Sequence, residues 1–179
     1  MKALYYDEQK GYQGIKVGDF PTPEITDTEV LVRVKAFSLN HIDVWGWRGM
    51  AFAKRKLPIV VGVEAAGTIA ALGDGVNGWN VGDRVALELF NVCLTCVQCR
   101  SGNYHMCPSR KANGINAPGG LREFMTVQPY ALYRLPDEVD FALGALAGTQ
   151  PVASVGVMLH VDGVGAFAAA PLAVVAALS

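Results

Sequence analysis

All four cysteines of this chain lie close together, as Cys93, Cys96, Cys99 and Cys107 in the pattern C-x2-C-x2-C-x7-C. No other feature restricts the fold as much. Tight C-x2-C steps place sulfurs on one turn, and the longer step lets the chain curl back with the fourth. Four thiolates so spaced close a tetrahedron around one zinc ion. A tetrahedron completed by protein has no open position for water or substrate, so the site reads as structural rather than catalytic. Two disulfides are the alternative, but cysteines this closely packed suit a metal better than disulfide geometry. The zinc lobe they define spans about residues 92–108.

The formal charge is -1 over 179 residues. That argues against a nucleic-acid surface or a polybasic membrane patch. Length allows one domain, or one domain and part of another. The hydrophobic fraction of 51% is ample for a core. Lys2 and Asp7 interrupt the start of the chain, so no signal peptide is expected there. Thiols held for metal and no export signal point to a reducing cytoplasm. Apolar residues concentrate at the C-terminal end, where Asp162 is the one charged residue after Val152. The uncharged run from Gly163 to Ser179 has about the length of the shortest membrane-spanning helix. Gly163, Gly165 and Pro171 interrupt it, and it is rich in alanine, so a buried helix or strand–helix piece is the better expectation.

Along the chain, Lys2–Asp7 reads as a strand and Pro21–Glu24 as a rigid link. Val30–Ala36 alternates, with the valines and Ala36 on one face and Leu31, Arg33 and Lys35 on the other. A short helix is expected to begin in Asn40–Gly46. Ala65–Gly73 is a small-residue strand whose glycines let backbones approach closely. Asp74-Gly75 and Asn77-Gly78 signal turns, and Val81–Glu88 is a turn feeding a strand. Beyond the cysteine lobe, strands are expected in Gly119–Val127 and Ala131–Leu135, and Asp140 is placed to cap a helix beginning at Phe141. Short strands separated by turns favour a rolled-up β-barrel over a βαβ sheet. The expected fold is therefore mainly β with short helices.

The order of these motifs resembles the catalytic domain of the zinc-containing, medium-chain alcohol dehydrogenase family. The likeness rests on Glu29–Val34, Asn40-His41-Ile42-Asp43, Gly62-Val63-Glu64-Ala65-Ala66-Gly67, Val81–Val85, the four-cysteine lobe, Gly119–Phe124 and Leu135-Pro136-Asp137. It covers residues 1 to about 150 and implies a GroES-like β-barrel over 1–150, carrying the zinc lobe. Residues 151–179 would then be an apolar C-terminal segment, with a helix and the start or vestige of a Rossmann domain. There Gly163-Val164-Gly165-Ala166-Phe167-Ala168 has the form G-x-G-x-x-A, which makes Gly163 and Gly165 candidate NAD or NADP contacts. Val155–Val161 would be the strand before it and Ala169–Leu178 the helix after it. An acidic ribose ligand belongs about twenty residues further on, and the sequence stops first. A plain packing or linker segment is the other reading, and tight NAD(P)H binding by this chain alone is not expected.

The resemblance also implies a small alcohol or carbonyl substrate, hydride exchange with NAD(P), and commonly a homo-oligomer. In that family a second zinc polarises the substrate oxygen. Its ligands would fall at Asn40, Val63 and Gln150, and the relay hydroxyl at Ile42. Valine has no lone pair, neutral amides are poor zinc ligands beside thiolate and imidazole, and isoleucine relays no proton. His41, Asp43 and Glu64 survive near these positions, and they with Asn40 are the candidate catalytic residues. Asn40 offers a hydrogen-bond donor to a carbonyl, and His41 an acid. His41, Asp43 and Glu64 in a rearranged site are the one route to a second zinc. Asp43 and Glu64 also suit structural roles, satisfying backbone donors or pairing with Arg84. Trp45, Trp47 and Phe52 would line an apolar pocket or belong to the core. Three functions remain: a zinc-bearing dehydrogenase, a metal-independent quinone or enone reductase, and a non-enzymatic zinc-bearing β-domain.

Overall fold

The computed structural model describes residues 1–53, 55–88, 90–146 and 158–160. Strand β3 (Val30–Ser38) is its spine. The alternation expected there is present: Val30, Val32, Val34 and Ala36 are buried, and Arg33 is exposed. Before it come β1 (Lys2–Tyr6) and β2 (Ile15–Asp19), an antiparallel pair. After it come helix α1 (His41–Trp47), β4 (Ile59–Val60), β5 (Glu64–Leu72), β6 (Arg84–Leu87) and β7 (Phe90–Asn91). Then follow α2 (Val97–Arg100), β8 (Lys111–Ala112), β9 (Phe124–Val127), β10 (Leu132–Arg134), α3 (Phe141–Leu146) and β11 (Met158–His160).

These strands form a sheet in the order β2-β1-β4, a larger one in the order β10-β6-β5-β3-β11, and the β7-β8 ladder. Strand β9 also pairs with β3. It takes the edge from Val30 to Arg33, and β11 takes the same edge from Ala36 to Ser38. Backbone bonds from Leu4 N–H to the Leu121 carbonyl (2.8 Å) and from Val34 N–H to the Glu123 carbonyl (2.9 Å) join the two large sheets through residues 121–123. The wrapped β architecture expected from the short strands is what the chain adopts.

Two apolar clusters fill it. One gathers Leu4, Tyr6, Phe37, Leu39, Val44, Trp47, Ile59, Val61 and Leu121. The other gathers the three valines of β3 with Ala65, Ile69, Val85, Leu87, Met125, Val127 and Leu132. Helix α3 closes one end, with Ala145 packed on Ala36 and Ala66. Asp140 caps it as expected, its Oδ1 accepting the Leu143 N–H at 2.6 Å. One feature differs from the sequence reading. Residues 15–19 form a strand, held as an edge by β1 although Gly18 and three exposed positions weaken its own signal. Within the strand expected over Val155–Val161, Met158–His160 pair with β3. Gly163, Gly165 and the C-terminal helix expected around them lie outside the described residues.

The small residues of β5 do what was expected of them. A Cβ on Gly67 would sit 2.1 Å from the Arg33 carbonyl oxygen of β3, and one on Gly73 would sit 2.2 Å from the Thr26 carbonyl oxygen. Neither obstacle is a flexible side chain, so relief requires moving backbone. Gly67→Ala is expected to cost about 1–3 kcal/mol of stability through overpacking. Urea unfolding that leaves the midpoint unchanged would show that β3 and β5 do not depend on this approach.

Candidate functional site: a four-thiolate lobe and an apolar cluster

The lobe stands on the β7-β8 ladder, which pairs Phe90 with Ala112 and Asn91 with Lys111. Leu94 takes a left-handed φ of 57° just after the first cysteine, turning the chain back on itself. Cys96 then caps α2, its Sγ accepting the Cys99 N–H at 3.4 Å. A 3-10 turn at Tyr104–Met106 delivers Cys107. All four Sγ atoms lie within 4.8 Å of one another. Cys93 Sγ is 3.9 Å from that of Cys99 and 3.6 Å from that of Cys107.

Those separations decide between the two chemistries left open. A disulfide needs sulfurs about 2.05 Å apart. A tetrahedron of Zn–S bonds of about 2.3 Å has edges of about 3.8 Å. The four thiols are free, and their spacing fits the metal. The N–H of Cys96, then the hydroxyl and N–H of Thr95, pull the Cys93 thiol down to about 6, readying a thiolate. Burial pushes the Cys99 thiol up to about 12, the penalty a cation at the centre would remove. Tyr130 ties the lobe to the barrel: its Oη accepts the Val92 N–H at 2.5 Å and donates to the Phe90 carbonyl at 3.4 Å.

The other candidates gather around the start of α1. Asn40 is the helix N-cap, its Oδ1 accepting the Ile42 N–H at 3.3 Å. Asp43 closes the capping box by accepting the Asn40 N–H at 3.1 Å. Its other oxygen accepts the Gly62 N–H, also at 3.1 Å, and so fastens α1 to the residues leading into β5. Burial raises the Asp43 carboxyl to about 6, against the pull of those N–H groups and of Arg55.

Arg55, which sequence reasoning did not single out, is the buried cation of this region. Its Nε donates to the Gly114 carbonyl at 2.8 Å and its NH2 group to the Ile42 carbonyl at 2.9 Å. A Cβ on Gly46 would meet Arg55 and the Tyr6 hydroxyl at 3.0 Å, so Gly46 leaves the room that the guanidinium takes. Arg84, one of the partners open to Asp43 and Glu64, instead donates to the Asp137 and Val139 carbonyls and lies over the Phe141 ring. Glu64, fully buried, accepts a short hydrogen bond from the Ser38 hydroxyl.

His41 is exposed, its ring 5.9 Å from that of Trp45, which in turn meets Phe52 edge-on at 5.1 Å. Phe52 is 70% exposed and Trp47 3%, so the aromatics divide between surface and core. His41, Asp43 and Glu64 are not brought together. Among the described residues, the four cysteines are the one group whose ligand atoms lie close enough to share an ion. Val63 and Ile42, at the positions the resemblance gives to a metal ligand and a relay hydroxyl, belong to one apolar cluster with Ala112, Phe90 and Ile115. Such a wall does not fit a second zinc. Gln150 lies outside the described residues.

With this geometry in hand, comparison with known proteins is informative. The alcohol dehydrogenase GroES-like domain family matches residues 26–137. The chain belongs to that family. It is 33% identical over 148 residues to the L-threonine 3-dehydrogenase of Pectobacterium carotovorum, a match covering 82% of this chain and 43% of that protein. The crystal structure of an NAD-dependent alcohol dehydrogenase superposes with a TM-score of 0.78 at 33% identity, covering 83% of this chain and 43% of the other. A cobalt- and zinc-bound thermostable alcohol dehydrogenase from Pyrobaculum aerophilum gives 0.72 at 28% identity, covering 83% and 44%. The chain thus spans less than half the length of the relatives it matches. Among the described residues, no helix is long and apolar enough to cross a membrane.

Two outcomes follow. Cys99→Ser is expected to lose bound zinc and lower the melting temperature; unchanged zinc content and melting would overturn the lobe's assignment. For Asp43, the folded pKa of about 6 exceeds the ordinary 3.8, so its titration favours the folded state below pH 3.8 and that contribution is lost as pH rises through about 6. Asp43→Asn leaves a backbone N–H without its acceptor and is expected to cost about 1–3 kcal/mol. Its deficit relative to the parent should shrink as pH rises across that window in urea titrations; a deficit independent of pH would contradict the raised pKa.

Proposed function

We propose that this chain is the GroES-like part of an NAD(P)-dependent, alcohol dehydrogenase-type oxidoreductase acting in the cytoplasm on a small alcohol or carbonyl compound. In this reading Cys93, Cys96, Cys99 and Cys107 hold one structural zinc, and the working site has no second zinc. The observation that carries it is the pairing of a closed four-thiolate cluster with an apolar wall at Ile42 and Val63. Zinc bound by the cysteines supplies cohesion to the lobe and no chemistry to the substrate.

Asn40 and Asp43 would serve position rather than proton relay. Asn40 and Asp43 fix the start of the helix, and the helix sets His41 and Trp45 on the surface beside Phe52. An exposed imidazole against aromatic rings suits a proton donor at the mouth of an apolar substrate site. Hydride would come from the nicotinamide, which is the cofactor's own chemistry. The name of one similar structure, an NAD-dependent alcohol dehydrogenase, supports that cofactor class.

The apolar cluster that holds Ile42 and Val63 also favours a second reading, a metal-independent quinone or enone reductase. Reduction of a conjugated carbonyl needs hydride and a positioned proton, but no Lewis acid. Elemental analysis of the purified chain is expected to give one zinc. Two per chain would restore a metal-assisted alcohol site, and none would remove the structural lobe. Quinone reduction with NADPH that resists a chelator would select the second reading. A domain without enzymatic role would show neither nucleotide-dependent activity, alone or joined to a nucleotide-binding partner.

A further inference from the structure

Arg122 is the cation that the fold and the candidate site leave unexplained. It is half-buried, and its Nε is sealed from solvent with no acceptor among the described residues. Other arginines here have partners: Arg33 lies over Phe124, Arg110 over Phe90, and Arg134 pairs with Asp83 at 2.9 Å. Burial alone pulls the Arg122 pKa down to about 10, with no carboxylate opposing it. A guanidinium partly withdrawn from water without an anion is costly, and an anion beside it recovers part of that cost.

Arg122 lines an open cavity of about 360 Å³. Lys56 lines it too, and Phe20, Pro23, Pro58 and Ile59 supply apolar surface. Neither Asp nor Glu is among the described lining residues. The acids adjacent in sequence are engaged elsewhere. Glu123 accepts the Lys2 N–H at 2.7 Å, and Asp19 accepts the Lys2 ammonium at 2.5 Å. A second cavity of about 490 Å³ shares Arg122, but the Glu29 carboxylate lines it and opposes an anion there.

We propose that the first cavity binds a small organic carboxylate. The planar guanidinium presents paired N–H donors that match the two carboxylate oxygens. Lys56 adds charge at the same cavity, and the proline and aromatic surface takes the apolar body of the ligand. Size and character fit a small-molecule site: mostly apolar lining with a few polar groups that set orientation. Inorganic phosphate would use the charges but leave the apolar surface wet. This site is separate from the zinc lobe and from α1, and it stands whether or not the reading of the working site holds.

Isothermal titration of the zinc-loaded 179-residue chain with sodium benzoate and sodium octanoate tests it, with benzamide and inorganic phosphate as comparisons. The carboxylates are expected to bind more tightly than either comparison. Arg122→Gln should weaken them about tenfold or more, and Lys56→Gln less. Should Arg122→Gln fail to fold, Arg122→Lys carries the test: the charge stays, the paired donors go, and a several-fold loss is expected. Benzamide or phosphate matching benzoate overturns the assignment. So does the absence of carboxylate binding at millimolar concentration, or binding unchanged in the Arg122 variant.

Discussion

Both edges of β3 are occupied along nearly its whole length, and the rest of the molecule is arranged by that pairing. Strand β5 runs along one edge from Val30 to Ser38, with register shifts on either side of Val32–Val34. Strands β9 and β11 divide the other edge between them. The close approach depends on Gly67, where any side chain would meet the Arg33 carbonyl. Once β3 is fixed, its inward valines define one core, and its last residues, Phe37 and Ser38, reach the other core and the buried Glu64. The start of α1 follows directly, because Asn40 lies two residues past the strand.

Around the start of α1, a backbone frame and an apolar cluster are separable parts. Asp43 grips two backbone amides and Arg55 holds the carbonyls of Ile42 and Gly114. These contacts fix backbone and make no demand on the side chains of Ile42 and Val63, which pack in the cluster. The four-thiolate lobe lies outside this frame and answers to a different constraint, the convergence of four sulfurs on one point.

Most of the architecture was legible from local pattern. Alternation marked β3, the cysteine spacing marked the lobe, and Asp140 marked the start of α3. What sequence did not show depends on partners far along the chain. Strand β2 has exposed Lys16 and Val17 and a glycine, and becomes a strand because β1 offers it an edge. The pairing of β11 with β3 joins residues more than a hundred positions apart. Arg55 carried no motif, since burial of a guanidinium is decided by the cavity that Gly46 and Tyr6 leave. Of the two structural roles open to Asp43, the structure selects backbone donors over Arg84, because charge alone does not say which groups lie within reach. At the site, the apolar character of Ile42 and Val63 was evident from residue type, but their place in one cluster needed the fold to bring them together.

The lobe's footing has a consequence for how the molecule comes apart. It is joined to the barrel by a two-stranded ladder and by Tyr130, a narrow neck for a segment of this length. The two main cores draw no residue from between Cys93 and Cys107. Stability is seldom uniform, and units with few apolar ties open on their own. The lobe has the makings of such a unit. If the four thiols hold a metal, its withdrawal would open the segment as a loop exposed to proteases while the barrel stayed shut, and the loss would register as a nick near Leu94 or Val97, both exposed, before it registered as unfolding.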